Sequence, residues 1–199
     1  MSQNKILIVA LLISSMLIFL TNYDLCSATE MVSTPITNCT MCHGDTGMSL
    51  FENIPHLAGQ NKDYMIAELK AYRDKTRKDR RMNQITAKLT DLEIEQFATV
   101  FSRKKLKNLP RNPDPERDKK IKVGQALFDD MACTNCHTSN NGNAAISSWP
   151  NVAGQLSVYS SIQLKIFRDS IRGIMMPGLV ADLTDDEIEA MSEYMESLK

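Results

Sequence analysis

The chain carries the same five-residue motif, CxxCH, twice. The two copies supply the residues Cys39, Cys42 and His43, then Cys133, Cys136 and His137. The whole chain of 199 residues holds only five cysteines and three histidines, so composition alone does not explain two such matches. Each motif sets two thiols about one helical turn apart, directly before an imidazole. The fold must therefore provide two equivalent sites.

The two motifs lie inside a longer internal repeat, which is the first pattern to seek in a new sequence. Residues 54–74 align with 149–169, including Ala-Gly-Gln in both, and 87–97 align with 181–191. Apolar residues recur at helical spacing, and Thr-x-x-Glu at Thr90 and Thr184 is typical of a capping box. No convincing alternating strand is present. The repeat predicts an all-α chain of two similar domains.

These features predict the domain limits. We expect domains at 29–104 and 119–199, joined by a proline-rich and charged linker at 105–118. A helix should lead into the second motif, whereas the corresponding helix of the first copy is shortened or missing. Residues 29–104 hold 11 basic and 10 acidic side chains, and 119–199 hold 7 and 10, a net charge of +1 against −3. Such a balance does not favour nucleic acid as a partner.

The N-terminus has the features of an export signal. Lys5 precedes an apolar run at 6–20, and the small residues Cys26 and Ala28 flank a cleavage site. The run is shorter than the ~20 residues of a membrane span. We predict a signal peptide at 1–28 and a periplasmic protein, with an uncleaved N-terminal membrane anchor as the alternative.

Several chemistries use paired cysteines. A zinc site would place its two CxxC pairs about 15–20 residues apart, and a thioredoxin-like dithiol would lie in a βαβ unit. Disulfides within such short loops contribute little entropy and leave both histidines unexplained. Covalent haem accounts for every feature, because each thiol adds to a vinyl group and the histidine binds the iron. We predict two covalently bound haem c groups.

Each haem iron then needs a sixth ligand or an open position. The third histidine, His56, sits where the second repeat has Asn151, which favours an ordinary loop residue. Methionine is the remaining good ligand. Met82 and Met176 each follow their motif histidine by 39 residues, and each precedes a matched leucine by seven. We predict these two as axial ligands, with Met175 as the rival of Met176.

The ordered set of motifs resembles the dihaem class I c-type cytochromes of the cytochrome c-four type. The shared features are both CxxCH motifs, P-x-[LV]-A-G-Q at 55–60 and 150–155, Y-x4-L-K-x-[YF]-R-D, and a methionine before A-x-L-T-D-x-E-I. The resemblance implies two facing cytochrome c-like domains with His/Met-ligated haems. It also implies electron transfer between respiratory redox proteins, from a quinol-oxidising complex or dehydrogenase to an acceptor such as a terminal oxidase.

Other functions remain open in the sequence. The chain is expected to be an electron carrier rather than an enzyme, and the alternative is the dihaem subunit of an oxidoreductase complex such as a flavin-containing sulfide dehydrogenase. A dihaem peroxidase would need an open iron, which the matched methionines oppose.

Two further groups of residues have two interpretations each. The first group either contacts haem propionates or serves helix packing and surface charge; its members are Tyr64, Tyr159, Arg73 and Arg168. The basic stretch 73–82 is either a docking patch or an ordinary solvated face.

Overall fold

The computed structural model describes residues 36–107, 111–137 and 143–198, and this part of the chain is helical with no strand. All of these residues belong to one compact unit, Thr34–Lys199. The helices of the first repeat are α1 Thr37–His43, α2 Lys62–Arg73, α3 Arg80–Thr86 and α4 Asp91–Ser102. Those of the second are α5 Pro115–Asp130, α6 Thr134–His137, α7 Ser157–Arg168, α8 Met176–Val180 and α9 Asp185–Ser197. The predicted all-α class is confirmed.

In the first repeat, α2 packs against both α3 and α4. Its core is built from Met65 on α2 and from Ile94, Phe97 and Phe101 on α4, all buried. The predicted capping box is present, because the Thr90 hydroxyl accepts from the Glu93 N–H and the Glu93 carboxylate accepts from the Thr90 N–H. This reciprocal pair fixes where α4 begins.

In the second repeat, α5 and α9 cross at close range. A Cβ at Gly124 would lie 2.0 Å from the carbonyl oxygen of Ala190, so only glycine lets the two backbones approach this closely. Phe128 and Tyr194 make an edge-to-face contact beside the crossing, with ring centroids 5.4 Å apart. The long helix α5 thus becomes the wall against which the C-terminal helix packs.

Helix α5 begins inside the segment predicted as a linker. Pro115 occupies its first turn, where the missing N–H has no intrahelical partner to lose. The carboxylate of Asp114 accepts from the N–H groups of Glu116 and Arg117 and caps the helix. The helix therefore starts four residues before the predicted domain limit at 119.

The predicted signal peptide at 1–28, and residues 29–35 of the segment before the first CxxCH, lie outside the described residues. Within the described ranges, none of the helices has the length and apolar character needed to cross a membrane.

Candidate functional site

Both CxxCH motifs adopt the same local geometry. His43 Nδ1 lies 2.9 Å from the Pro55 carbonyl oxygen, and His137 Nδ1 lies 3.1 Å from that of Pro150. A carbonyl can only accept, so Nδ1 is the protonated nitrogen and Nε2 keeps its lone pair. Burial lowers the pKa of both histidines and favours this neutral form. Each imidazole is therefore oriented and prepared to bind a metal through Nε2.

The four motif cysteines are half-buried, and none of them forms a disulfide with another described residue. Cys39 packs against the first core beside Met65 and Phe101, and Cys133 packs against the second. Burial raises the pKa of Cys39 to about 11, and it also raises the pKa of Cys133. Cysteine side chains beside an apolar core, with an oriented imidazole in the same motif, fit a covalently held haem.

Met175 precedes helix α8 and Met176 begins it, and the two side chains have different surroundings. Met176 packs against the core of the second repeat. Met175, its rival, is 61% exposed. In the first repeat Met82 is half-buried on α3. Met176 is thus half-buried against the core, whereas the Met175 side chain is mostly exposed to solvent.

The loop before Met82 is held by side chains rather than by regular structure. The Asp79 carboxylate caps α3 by accepting from the N–H groups of Arg81 and Met82. Asn83 Nδ2 donates to the carbonyls of Tyr72 and Arg77 at 2.6 and 2.9 Å, and Asn83 Oδ1 accepts from the Asp79 N–H. These bonds fix residues 72–83 as one unit around Met82.

The two Ala-Gly-Gln stretches meet at the interface between the repeats. Gln155 accepts from the His56 N–H at 2.8 Å and donates to the His56 carbonyl at 3.0 Å. Gln60 accepts from the Asn151 N–H at 2.8 Å and donates to the Asn151 carbonyl at 2.9 Å. Each glutamine thus pairs with the backbone of the equivalent position in the other repeat. We call these two pairs the glutamine clamps.

A second interface network centres on two arginines at equivalent positions. Arg77 donates to Glu68 in its own repeat at 2.6 Å, and to Tyr159 and Gln163 across the interface at 3.1 and 2.8 Å. Arg172 repeats the pattern in reverse, with Gln163 in its own repeat and with Tyr64 and Glu68 across the interface.

Each guanidinium also stacks on a ring of its own repeat, Arg77 on Tyr72 and Arg172 on Phe167. Together with the glutamine clamps, this network joins the repeats with approximate twofold symmetry.

These contacts bear on several open interpretations. Arg73 and Arg168 bind Asp91 and Asp185 at the starts of α4 and α9, which supports helix packing and surface charge as their role. Tyr64 and Tyr159 direct their hydroxyls to the arginines of the other repeat. His56 is a loop residue, as predicted, but it is buried and its Nδ1 accepts from the Ser49 N–H.

Some important residues were missed from the sequence. Gln60 and Gln155 had been seen only as part of a matched motif, Arg77 only as part of the basic stretch 73–82, and Arg172 had no assigned role. The equivalent positions of these pairs in the two repeats were the available signal.

Known proteins that resemble this chain in sequence and in structure include cytochromes. The family model described as "Cytochrome c" matches residues 121–199. Cytochrome c4 of Stutzerimonas stutzeri is 31% identical over 178 residues, which cover 80% of this chain and 84% of that protein. The crystal structure of reduced recombinant cytochrome c4 from Pseudomonas stutzeri superposes with a TM-score of 0.72 at 30% identity, covering 82% of this chain and 95% of the other.

A more distant relative has a different description. The "thiosulfate dehydrogenase electron acceptor" of Stutzerimonas stutzeri strain A1501 is 26% identical over 166 residues, which cover 78% of this chain and 76% of that protein.

Proposed function

Since the chain belongs to the cytochrome c4 family, a group of dihaem electron carriers, we propose the individual residues that hold and ligate its two haems. The protein carries two c-type haems and transfers electrons between redox proteins. We assign the four thioether bonds to Cys39, Cys42, Cys133 and Cys136. His43 and His137 are the first axial ligands, and Met82 and Met176 are the second. Residues 29–104 form one haem domain, and the second runs from the start of α5 at Pro115 to residue 199.

The observation that carries this assignment is the duplicated histidine geometry. In both repeats a proline carbonyl holds Nδ1, which orients the ring and leaves Nε2 for iron. The packing of the half-buried Met176 against the core, beside the exposed Met175, supports Met176 as the partner ligand. When bound, haem supplies the one-electron chemistry. The chain's own residues orient the ligands, exclude water and hold the two repeats together.

Closed coordination fits the role of a carrier. A histidine and a methionine on each iron leave no position for a substrate, and methionine ligation raises the reduction potential. We propose that the chain works in the periplasm. Its donor is a quinol-oxidising complex or a dehydrogenase, and its acceptor is a terminal oxidase. The apolar run at 6–20 serves as the export signal.

The ligand assignment is tested by replacing each methionine by histidine in the full holoprotein. Met82→His and Met176→His should each remove half of the far-red absorption band of methionine-ligated ferric haem. Each should also lower one potential by on the order of 0.1 V or more, within the roughly 0.8 V that axial ligands span. Met175→His is the matched control and should leave both signals unchanged. Loss of the band in Met175→His instead would transfer the ligand role to that residue.

A second function rests on the relative described as a thiosulfate dehydrogenase electron acceptor. On this alternative the chain is the dihaem partner or subunit of a dehydrogenase and receives electrons from that one enzyme. Purification of the chain from its native cells separates the two functions. A carrier elutes alone at the size of the single chain, whereas a subunit elutes with a stoichiometric catalytic chain.

A further inference from the structure

The segments leading to the two proposed methionine ligands share one backbone scaffold. Each follows the C-terminal end of a matched helix, α2 or α7, and each contains a non-glycine residue with positive φ, Lys75 at 58° and Ser170 at 54°. Two residues later, Arg77 and Arg172 direct their side chains into the interface between the repeats. The inward half of this scaffold is therefore the same in both repeats.

The outward half differs completely between the repeats. In the first repeat five exposed basic residues surround Met82 in sequence: Lys75, Lys78, Arg80, Arg81 and Lys88. None of them forms an ion pair with another described residue. The only acidic residue between positions 75 and 90 is Asp79, whose carboxylate caps α3. We call these five residues the basic patch.

The second repeat has no such charge at the matching positions. The residues there are Ser170, Gly173, Ile174, Met175 and Asp182. The surface beside Met176 is apolar instead, with Ile174 99% exposed, Ile171 66% and Leu179 53%. Because the second repeat folds on the same scaffold without the charges, the basic patch is not required for the fold.

The basic patch is also held in place before any partner arrives. Arg77 N donates to the Ala71 carbonyl at 3.0 Å, and Lys75 N donates to the Tyr72 carbonyl at 3.1 Å. Asn83, the residue after Met82, then ties this turn to α3 through its bonds to the Tyr72 and Arg77 carbonyls. A backbone that is already held by hydrogen bonds loses less entropy when a partner docks. Charges without a counter-ion on that backbone steer an oppositely charged partner toward the surface.

We propose that the basic patch is the docking surface for an acidic redox protein, which exchanges electrons with the haem of the first repeat. The proposal rests on the proposed function, in which Met82 ligates that haem.

The test measures electron transfer from the fully reduced holoprotein to an oxidised plastocyanin that carries an acidic patch. The patch variant combines Lys75→Gln, Lys78→Gln, Arg80→Gln and Arg81→Gln. The control variant removes the same charge elsewhere, with Arg103→Gln, Lys119→Gln, Lys120→Gln and Lys122→Gln, all at exposed positions. Haem content and the ligand spectrum are measured first in each protein. An altered spectrum in the wild type would count against the proposed function and not against the docking surface.

At an ionic strength near 0.01 M, where the screening length is about 30 Å, the patch variant should react at least about tenfold more slowly than the wild type. Near 0.5 M the difference should fall below about twofold, and the control variant should stay within about twofold at both. Oxidation by the cationic tris(phenanthroline)cobalt(III) should become faster in the patch variant. Together these signs identify local attraction at the basic patch.

Three results would overturn the proposal. An equal loss in both variants would mean that net charge, and not the patch, governs the rate. An unchanged rate in the patch variant would remove the docking role directly. The third result would come from vesicles of phosphatidylcholine with phosphatidylglycerol. If the patch variant loses vesicle binding but keeps its plastocyanin rate, the patch serves a membrane surface instead.

Discussion

The glutamine clamps give a quantitative prediction about how the repeats are joined. Gln60→Ala and Gln155→Ala together remove four hydrogen bonds between the repeats, two from each side chain. A typical net contribution of about 1 kcal/mol per bond predicts a loss of about 4 kcal/mol. The backbone groups of His56 and Asn151 would add to this loss wherever water does not reach them. Set against a total stability of about 5–15 kcal/mol, the loss is large.

The assay is unfolding in guanidinium chloride, followed by far-ultraviolet circular dichroism and by haem absorption. With a slope of about 4 kcal/mol per M for a chain of this size, the midpoint should fall by about 1 M. Because each haem domain keeps its own core, the single transition should also separate into two as the repeats uncouple. Each single variant should lose about half of the total, since the two clamps share no atoms.

Two exposed glutamines provide the matched control. Gln84 lies on α3 and Gln125 on α5, and their side chains make no hydrogen bond to other described residues. Gln84→Ala with Gln125→Ala should therefore change the free energy of unfolding by less than about 0.5 kcal/mol. A clamp variant that matches this control would refute the argument that the clamps hold the repeats together.

Three further variants test other contacts. Glu68→Gln leaves both interface arginines without a carboxylate and should cost about 3 kcal/mol in urea unfolding, whereas adding Gln163→Glu should restore most of that loss. Gly124→Ala should cost about 3 kcal/mol in thermal unfolding because its Cβ meets a backbone oxygen, whereas Gly178→Ala, with open space around it, should be nearly neutral. Hydrogen bonds from its capping threonine lower the pKa of Glu187, so its contribution is present above the unfolded pKa of about 4.3 and is lost as pH falls through the folded pKa. The stability difference between Glu187→Gln and wild type should therefore disappear in acid, as measured by urea unfolding at a series of pH values.

Local signals in the sequence predicted the local structure well. The capping boxes at Thr90 and Thr184 mark the starts of α4 and α9, because a cap depends only on residues three apart. The helical spacing in 61–74 predicted α2, which spans Lys62–Arg73. Helices α3 and α8 were not predicted; the repeat register matched only Met82 and Met176, and the structure shows that both lie near a helix start.

The contacts between the repeats were not predictable in the same way. Nothing near Gln60 in sequence indicates that its side chain pairs with a backbone 91 residues away. Arg77 lies within a run of basic residues, and its burial to 9% exposure is set by the other repeat's Tyr159 and Gln163. Composition could not separate this one interior arginine from its exposed neighbours, because the separation depends on how the two repeats dock.

The repeats use equivalent positions where they touch each other, and their side chains differ most where they face solvent. Each glutamine clamp binds backbone atoms, so the position it holds can be His56 in one repeat and Asn151 in the other without loss of the contact. On the outer surface no such constraint acts, and matched scaffolds carry lysines and arginines in one repeat and isoleucines in the other. The interface contacts hold the two repeats in one geometry, while the outer surfaces beside Met82 and Met176 differ in charge. It follows that clamp variants should change the coupling between haem domains and leave partner choice intact, whereas patch variants should do the reverse.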